Sequence, residues 1–127
     1  MVNAHQILIV DDEIDIREIL RFALETPGRL VFEAGNGEEA LSVVEKEKID
    51  LILTDLAMPK MNGFELLRKL KMIGKSLPII VLTGHADSMV ANQIRPYGVV
   101  HFLTKPWDSD HLDKIVQEIL AKIPIAE

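Results

Sequence analysis

Four short apolar runs in this chain each stop at a polar residue. Ile7–Val10 stops at Asp11 and Asp12, Leu51–Thr54 at Asp55, Ile79–Leu82 at Thr83, and His101–Thr104 at Lys105, which Pro106 follows. Apolar runs this short, separated by longer stretches of helical period, are the pattern of strands buried on both faces of a parallel sheet. On that reading the polar residues share the carboxyl edge of one sheet, where open α/β folds bind ligands. Three carboxylates, a hydroxyl and an amine gathered there suit a divalent cation and a phosphoryl group.

The remaining pattern supplies the elements. Strands are expected near Gln6–Val10, Leu30–Ala34, Asp50–Thr54, Pro78–Leu82 and Val99–Leu103. The first helix places Ile16, Leu20 and Ala23 on one face and stops at Pro27-Gly28. Asn36, with Glu39 three residues on, reads as a capping box opening the second. The third runs from about Gly63 to Lys71 with Phe64, Leu67 and Leu70 inward. The fourth, about Ser88–Ile94, is cut short by Pro96. The last starts at Asp108, buries Leu112, Ile115, Val116 and Ile119, and ends before Pro124. Five such βα units predict an α/β, doubly wound, five-stranded parallel sheet with helices on both faces, most simply in order 2-1-3-4-5. The 127 residues suit one domain with a structured core of about 5–123.

Composition removes several function classes. Net charge is −6, from 14 Lys+Arg against 20 Asp+Glu, so a general nucleic-acid or anionic-membrane surface is not expected. The absence of cysteine excludes disulfides, thiolate metal sites and thiol catalysis. The apolar runs are far shorter than the roughly 18 residues of a membrane span. The first six residues lack the charged and apolar regions of a signal peptide, and a cytoplasmic location is expected.

The chemistry of the edge can be argued from the residues. Two unit charges about 4 Å apart repel by roughly 4 kcal/mol at an effective dielectric of about 20. Asp11, Asp12 and Asp55 gathered without a counterion would strain the fold or raise a pKa, and a hard cation removes the conflict. Oxygen ligands alone favour Mg²⁺, with Mn²⁺ as a substitute. A carboxylate is also a nucleophile that can form an aspartyl-phosphate. Phosphoryl transfer then needs mainly positioning and positive charge, from Mg²⁺, the Lys105 ammonium and the Thr83 hydroxyl. Asp55 is the best nucleophile because it stands alone on the central strand, leaving Asp11 and Asp12 to share the metal. Gly84 leaves room for a donor to approach.

The same residues carry a family resemblance. Ile-Val-Asp-Asp-Glu at 9–13, Leu-Thr-Asp-Leu-Ala-Met-Pro-Lys-Met-Asn-Gly at 53–63, Ile-Val-Leu-Thr-Gly at 80–84 and Phe-Leu-Thr-Lys-Pro at 102–106 resemble a response-regulator receiver domain over nearly the whole chain. The resemblance implies the flavodoxin-like order 2-1-3-4-5 and a phosphorylation-dependent signalling switch. It implies that Asp55 accepts phosphate from a histidine kinase, a phosphotransfer protein or a small phosphodonor. It implies Mg²⁺ on Asp12, Asp55 and the Ala57 carbonyl, with Asp11 acting largely through water. Thr83 and Phe102 match the switch pair that reshapes the face of the fourth helix, fifth strand and fifth helix, also the surface for a homodimer. Ala57 and His85 occupy the positions that modulate dephosphorylation, and Lys105–Pro106 is expected to be cis. Such a chain catalyses only its own phosphorylation and slow dephosphorylation; its output target is not written in the sequence.

Each residue alone has a plainer reading. An acidic pair after a strand is often a helix cap, a lone lysine is usually solvated, and a strand-end threonine often forms a turn. His5, His101 and His111 read as surface residues, and the methionines as packing or surface residues. Two other functions compete with the switch. A Mg²⁺-dependent phosphohydrolase using an aspartyl-phosphate usually has a second Asp two residues past the nucleophile, where this chain has Ala57. A degenerate receiver would be a constitutive interaction domain, which the complete acid, Thr and Lys set opposes.

Overall fold

The computed structural model describes residues 3–58, 61–84 and 88–125. Strands β1 (His5–Val10), β2 (Arg29–Ala34), β3 (Leu51–Thr54), β4 (Ile79–Thr83) and β5 (Val99–Thr104) pair in parallel in the order β2-β1-β3-β4-β5. Helices α1 (Ile14–Leu24), α2 (Gly37–Lys46), α3 (Gly63–Met72), α4 (Ser88–Ile94) and α5 (Ser109–Leu120) fill the connections. The fold and strand order therefore agree with the sequence reading.

Strand alternation builds a core on each face. Ile7 and Ile9 of β1, Leu51 and Leu53 of β3, and Ile80 and Leu82 of β4 pack with Leu20 and Leu24 of α1 and with Leu112, Ile115, Val116 and Leu120 of α5. Leu8, Val10, Ile52, Ile79 and Val81 face the other way, against Ala40 and Val44 of α2, Leu66, Leu67 and Leu70 of α3, and Ile94 of α4. Each fully buried aliphatic side chain contributes about 1.5–3 kcal/mol of transfer free energy, so the sheet's central strands are its most fixed part. The functional residues hang from those strands.

Local chemistry explains most helix ends, and four details differ from expectation. α1 stops at Leu24, before Pro27, because Thr26 and Arg29 close a tight turn through paired backbone hydrogen bonds of 3.3 and 3.0 Å. Asn36 caps α2 by accepting from the Glu39 N–H at 3.0 Å, but its own side-chain amide, not its backbone N–H, donates to Glu39 Oε1 at 3.1 Å. In α3, Leu66 is fully buried while Phe64 is only partly covered. In α5, Leu120 is buried and Ile119 partly so, because Leu112, Val116 and Leu120 share one row at a spacing of four. Asn62 and Asp108 cap α3 and α5, and a 3₁₀ turn at Arg95–Tyr97, carrying Pro96, follows α4.

One irregularity bears on function. Ile79 pairs with Val99 but Ile80 pairs with His101, so Val100 is an extra residue in β5. A bulge of this kind reverses the alternation that follows it. Phe102 thereby joins the face of Val99, packed towards α4, and Leu103 takes the opposite face. No helix among the described residues is long and apolar enough to cross a membrane.

Candidate functional site

Continued strand pairing sets the acids in place. The Asp11 N–H donates to the Ala34 carbonyl at 3.1 Å, extending β1 along β2, and the Asp55 N–H donates to Val10 at 3.0 Å, extending β3 along β1. On the other side, the Lys105 N–H donates to the Thr83 carbonyl at 2.8 Å. Asp11, Asp55 and Thr83 are buried, Asp12 is exposed, and Lys105 is partly covered. One carboxylate oxygen from each of Asp11, Asp12 and Asp55 lies within 4.8 Å of the others. The structure thus brings together the five residues singled out at the four strand ends.

The buried acids have a counterion within the fold. Lys105 Nζ donates to Asp11 Oδ2 at 2.8 Å and to Asp55 Oδ2 at 2.9 Å. Burial by itself would lower the Lys105 pKa, but its hydrogen bonds and attraction to Asp11 and Asp55 outweigh that and hold it above the ordinary lysine value. The outer oxygens are also held. Asp11 Oδ1 accepts from the Glu13 N–H at 2.9 Å, and Asp55 Oδ1 accepts from Leu56 at 2.6 Å and Ala57 at 3.3 Å. Asp12 makes no hydrogen bond or ion pair among the described residues.

This donor set fits a hard divalent cation. Three carboxylates face one ammonium, and the exposed Asp12 adds a charge with no ion-pair partner among the described residues. An all-oxygen cluster with one solvent-facing ligand is the environment Mg²⁺ prefers, since it keeps several waters.

The loop after Asp55 is held by two glycines whose role the sequence reading did not extract. The Gly63 N–H donates to Leu56 at 2.9 Å, and a Cβ on Gly63 would overlap the Asp55 carbonyl oxygen. The Gly37 N–H donates to Met61 at 2.9 Å, and a Cβ there would lie 2.6 Å from Met61 Cγ. Asn-Gly at the start of each helix was the available signal, and it points to the Asn cap without revealing the close approach that requires glycine after it. Gly84 is different: among the described residues a Cβ there would meet nothing within 4 Å.

The secondary candidates divide. Phe102 is partly buried on the face shared with Val81, two residues before Thr83. Ala57 is exposed and lines a largely apolar cleft with Met58, Phe64 and Val90. Lys105–Pro106 is cis. His85 lies outside the described residues. His101 and His111 are exposed, whereas His5 is half-buried with Nε2 2.6 Å from the Ile123 carbonyl.

Comparison with known proteins agrees with this geometry. Residues 7–117 match the family described as response regulator receiver domain. Sporulation initiation phosphotransferase F of Bacillus subtilis is 34% identical, over 94% of this chain and 96% of its own length. The transcriptional regulatory protein GlrR of Escherichia coli is 35% identical over 90% of this chain, but only 26% of its own length. The crystallised chemotaxis protein CheY4 of Vibrio cholerae superposes with a TM-score of 0.84 at 32% identity, covering 92% of this chain and 99% of that one. A strand order, an acidic edge and a family match over most of the chain converge, and the chain belongs to the response regulator receiver domain family, a phosphorylation-dependent signalling switch.

Proposed function

We propose that Asp55 is the phosphoryl acceptor of this switch. The observation that carries it is the convergence of Lys105 on Asp55 and Asp11 at the end of the central strand. An Asp55 oxygen forms a bond to phosphorus as the bond from phosphorus to the donor breaks. The donor is a sensor histidine kinase, a phosphotransfer protein or a small phosphodonor. Backbone N–H groups of Leu56 and Ala57 hold Oδ1 and fix the carboxylate before transfer. The Lys105 ammonium, already shared by two acids, balances charge on the transferred group. Asp12 and Asp55, with the Ala57 carbonyl, would hold Mg²⁺, and Asp11 would act on it largely through water. The bound ion would supply positive charge to the phosphoryl oxygens.

Thr83 and Phe102 complete the reading. The Thr83 hydroxyl turns to the phosphate and Phe102 packs further inward, which biases two arrangements of the face made by α4, β5 and α5. That face is the surface for a downstream target or a second copy. Beyond catalysing its own phosphorylation and slow dephosphorylation, the chain acts on no separate substrate.

Incubation with Mg²⁺ and a small acyl phosphate should add one hydroxylamine-labile phosphate by intact mass, and Asp55→Asn should abolish it. Labelling that persists in the variant at another residue would overturn the assignment. Sustained turnover of a small phosphate ester would instead favour a phosphohydrolase.

A further inference from the structure

Among the described residues, Asp12 is the one acid of the cluster whose side chain has no hydrogen-bond or ion-pair partner, so its direction follows from its backbone. That backbone begins at the Asp11–Asp12 peptide. Its carbonyl, Asp11 O, accepts a hydrogen bond of 2.6 Å from Arg17 Nη1, one turn into α1. The same guanidinium donates through Nε to Glu33 Oε1 of β2 at 3.1 Å. Glu33 is in turn held by Arg21 Nε at 2.6 Å. Arg17 is therefore fixed at both ends of its fork, and it spans the ends of β1 and β2 from a position only partly open to solvent. The neighbouring turn lies against the guanidinium: a Cβ on Gly35 would sit in ordinary contact with Nη1, at 3.5 Å.

We propose that Arg17 is a positioning residue for the metal-binding acids, acting through the Asp11–Asp12 peptide without touching the ion or the phosphoryl group. The inference rests on Asp12 being a metal ligand. Arg17 pins the peptide plane that sets the direction of the Asp12 side chain. Without it the carbonyl is released to water, Asp12 samples more orientations, and the ion pays for ordering it. A lysine cannot replace the fork, because one ammonium on a flexible stem cannot match the planar bidentate geometry.

The test is Mg²⁺ titration of wild type, Arg17→Ala, Arg17→Lys and Arg29→Ala, read by the fluorescence of Trp107 and by thermal shift. Arg29 is the control because it makes a comparable ion pair, 2.6 Å to Asp113, at the opposite end of β2. Losses of partners that orient metal ligands typically weaken metal affinity about 10- to 100-fold. Arg17→Ala should raise the Mg²⁺ dissociation constant by about tenfold, Arg17→Lys by less, and Arg29→Ala should leave it unchanged while lowering the melting temperature. The rate of phosphorylation by a small acyl phosphate should recover towards wild type at saturating Mg²⁺ in both Arg17 variants, with only the half-saturating concentration shifted. Unchanged affinity in Arg17→Lys together with unchanged affinity in Arg17→Ala, or in Arg17→Lys alone if the alanine variant does not fold, would overturn the proposal. A wild-type protein with no saturable Mg²⁺ response would instead remove the metal site itself.

Discussion

Replacing Lys105 by methionine should expose how the acidic cluster is balanced without metal. The ammonium sits 2.8 Å from Asp11 Oδ2 and 2.9 Å from Asp55 Oδ2. At an effective dielectric of about 20, a charge pair at that separation attracts by about 6 kcal/mol before desolvation is counted. Removing one partner of a buried pair costs about 3–5 kcal/mol, because the other charge is left uncompensated. Here the lower end applies, since the Lys105 side chain is 17% exposed and both acids keep backbone donors. A loss of about 3 kcal/mol at roughly 4 °C per kcal/mol lowers the melting temperature by about 12 °C in chelator. Mg²⁺ should then restore more stability to Lys105→Met than it adds to wild type, because the ion meets three carboxylates with no competing ammonium. At 100 times the dissociation constant, linkage gives about 2.7 kcal/mol, or roughly 10 °C. Thermal melts across a Mg²⁺ series in both proteins measure this. A variant that melts with wild type in chelator would refute Lys105 as the structural counterion. An equal or smaller Mg²⁺ increment in the variant would refute competition between ammonium and metal.

Gly63→Ala should cost about 1–3 kcal/mol and reduce Asp55 labelling, because its Cβ would lie 2.7 Å from Leu56 Cα and against the Asp55 carbonyl; an unchanged urea midpoint with full labelling would show that the loop yields freely. Ala57→Asn should shorten the aspartyl-phosphate lifetime, since a group able to align water in the exposed cleft is worth about 1–3 kcal/mol, roughly 5- to 150-fold in rate. Phosphate decay followed by intact mass decides it, and an unchanged rate would refute water positioning at this residue. Burial by itself would raise the Glu33 pKa, but Arg21 and Arg17 outweigh it and hold the carboxyl below its ordinary value. Its contribution is therefore fully present above the unfolded pKa of about 4.3 and is lost as pH falls through the lower folded value. Denaturant midpoints of Glu33→Gln should fall below wild type at neutral pH and converge with it in acid, and a constant gap across pH would count against the linkage.

The sequence alone determined the strand ends and, through them, the candidate site. Burial on both faces leaves a parallel strand readable as a continuous apolar run, so Asp11, Asp55, Thr83 and Lys105 announced themselves as the residues where each run stopped. Asn36 and Asp108 were equally legible, because a cap is a local hydrogen bond between residues two or three positions apart. What joins distant positions was decided only by the tertiary structure. Lys105 and Asp11 lie 94 residues apart, and their ion pair exists because strand order sets β1 and β4 on either side of β3, with β5 beside β4. Arg17 reads from sequence as one more polar residue on α1, and only the packing of that helix against β1 and β2 gives its fork two partners. Phe102 shows the limit most directly. Strict alternation from Val99 would place it on the opposite face, away from Val81 and Thr83. The single extra residue in β5 reverses that parity, because a side-chain period of two turns a one-residue shift into a change of face.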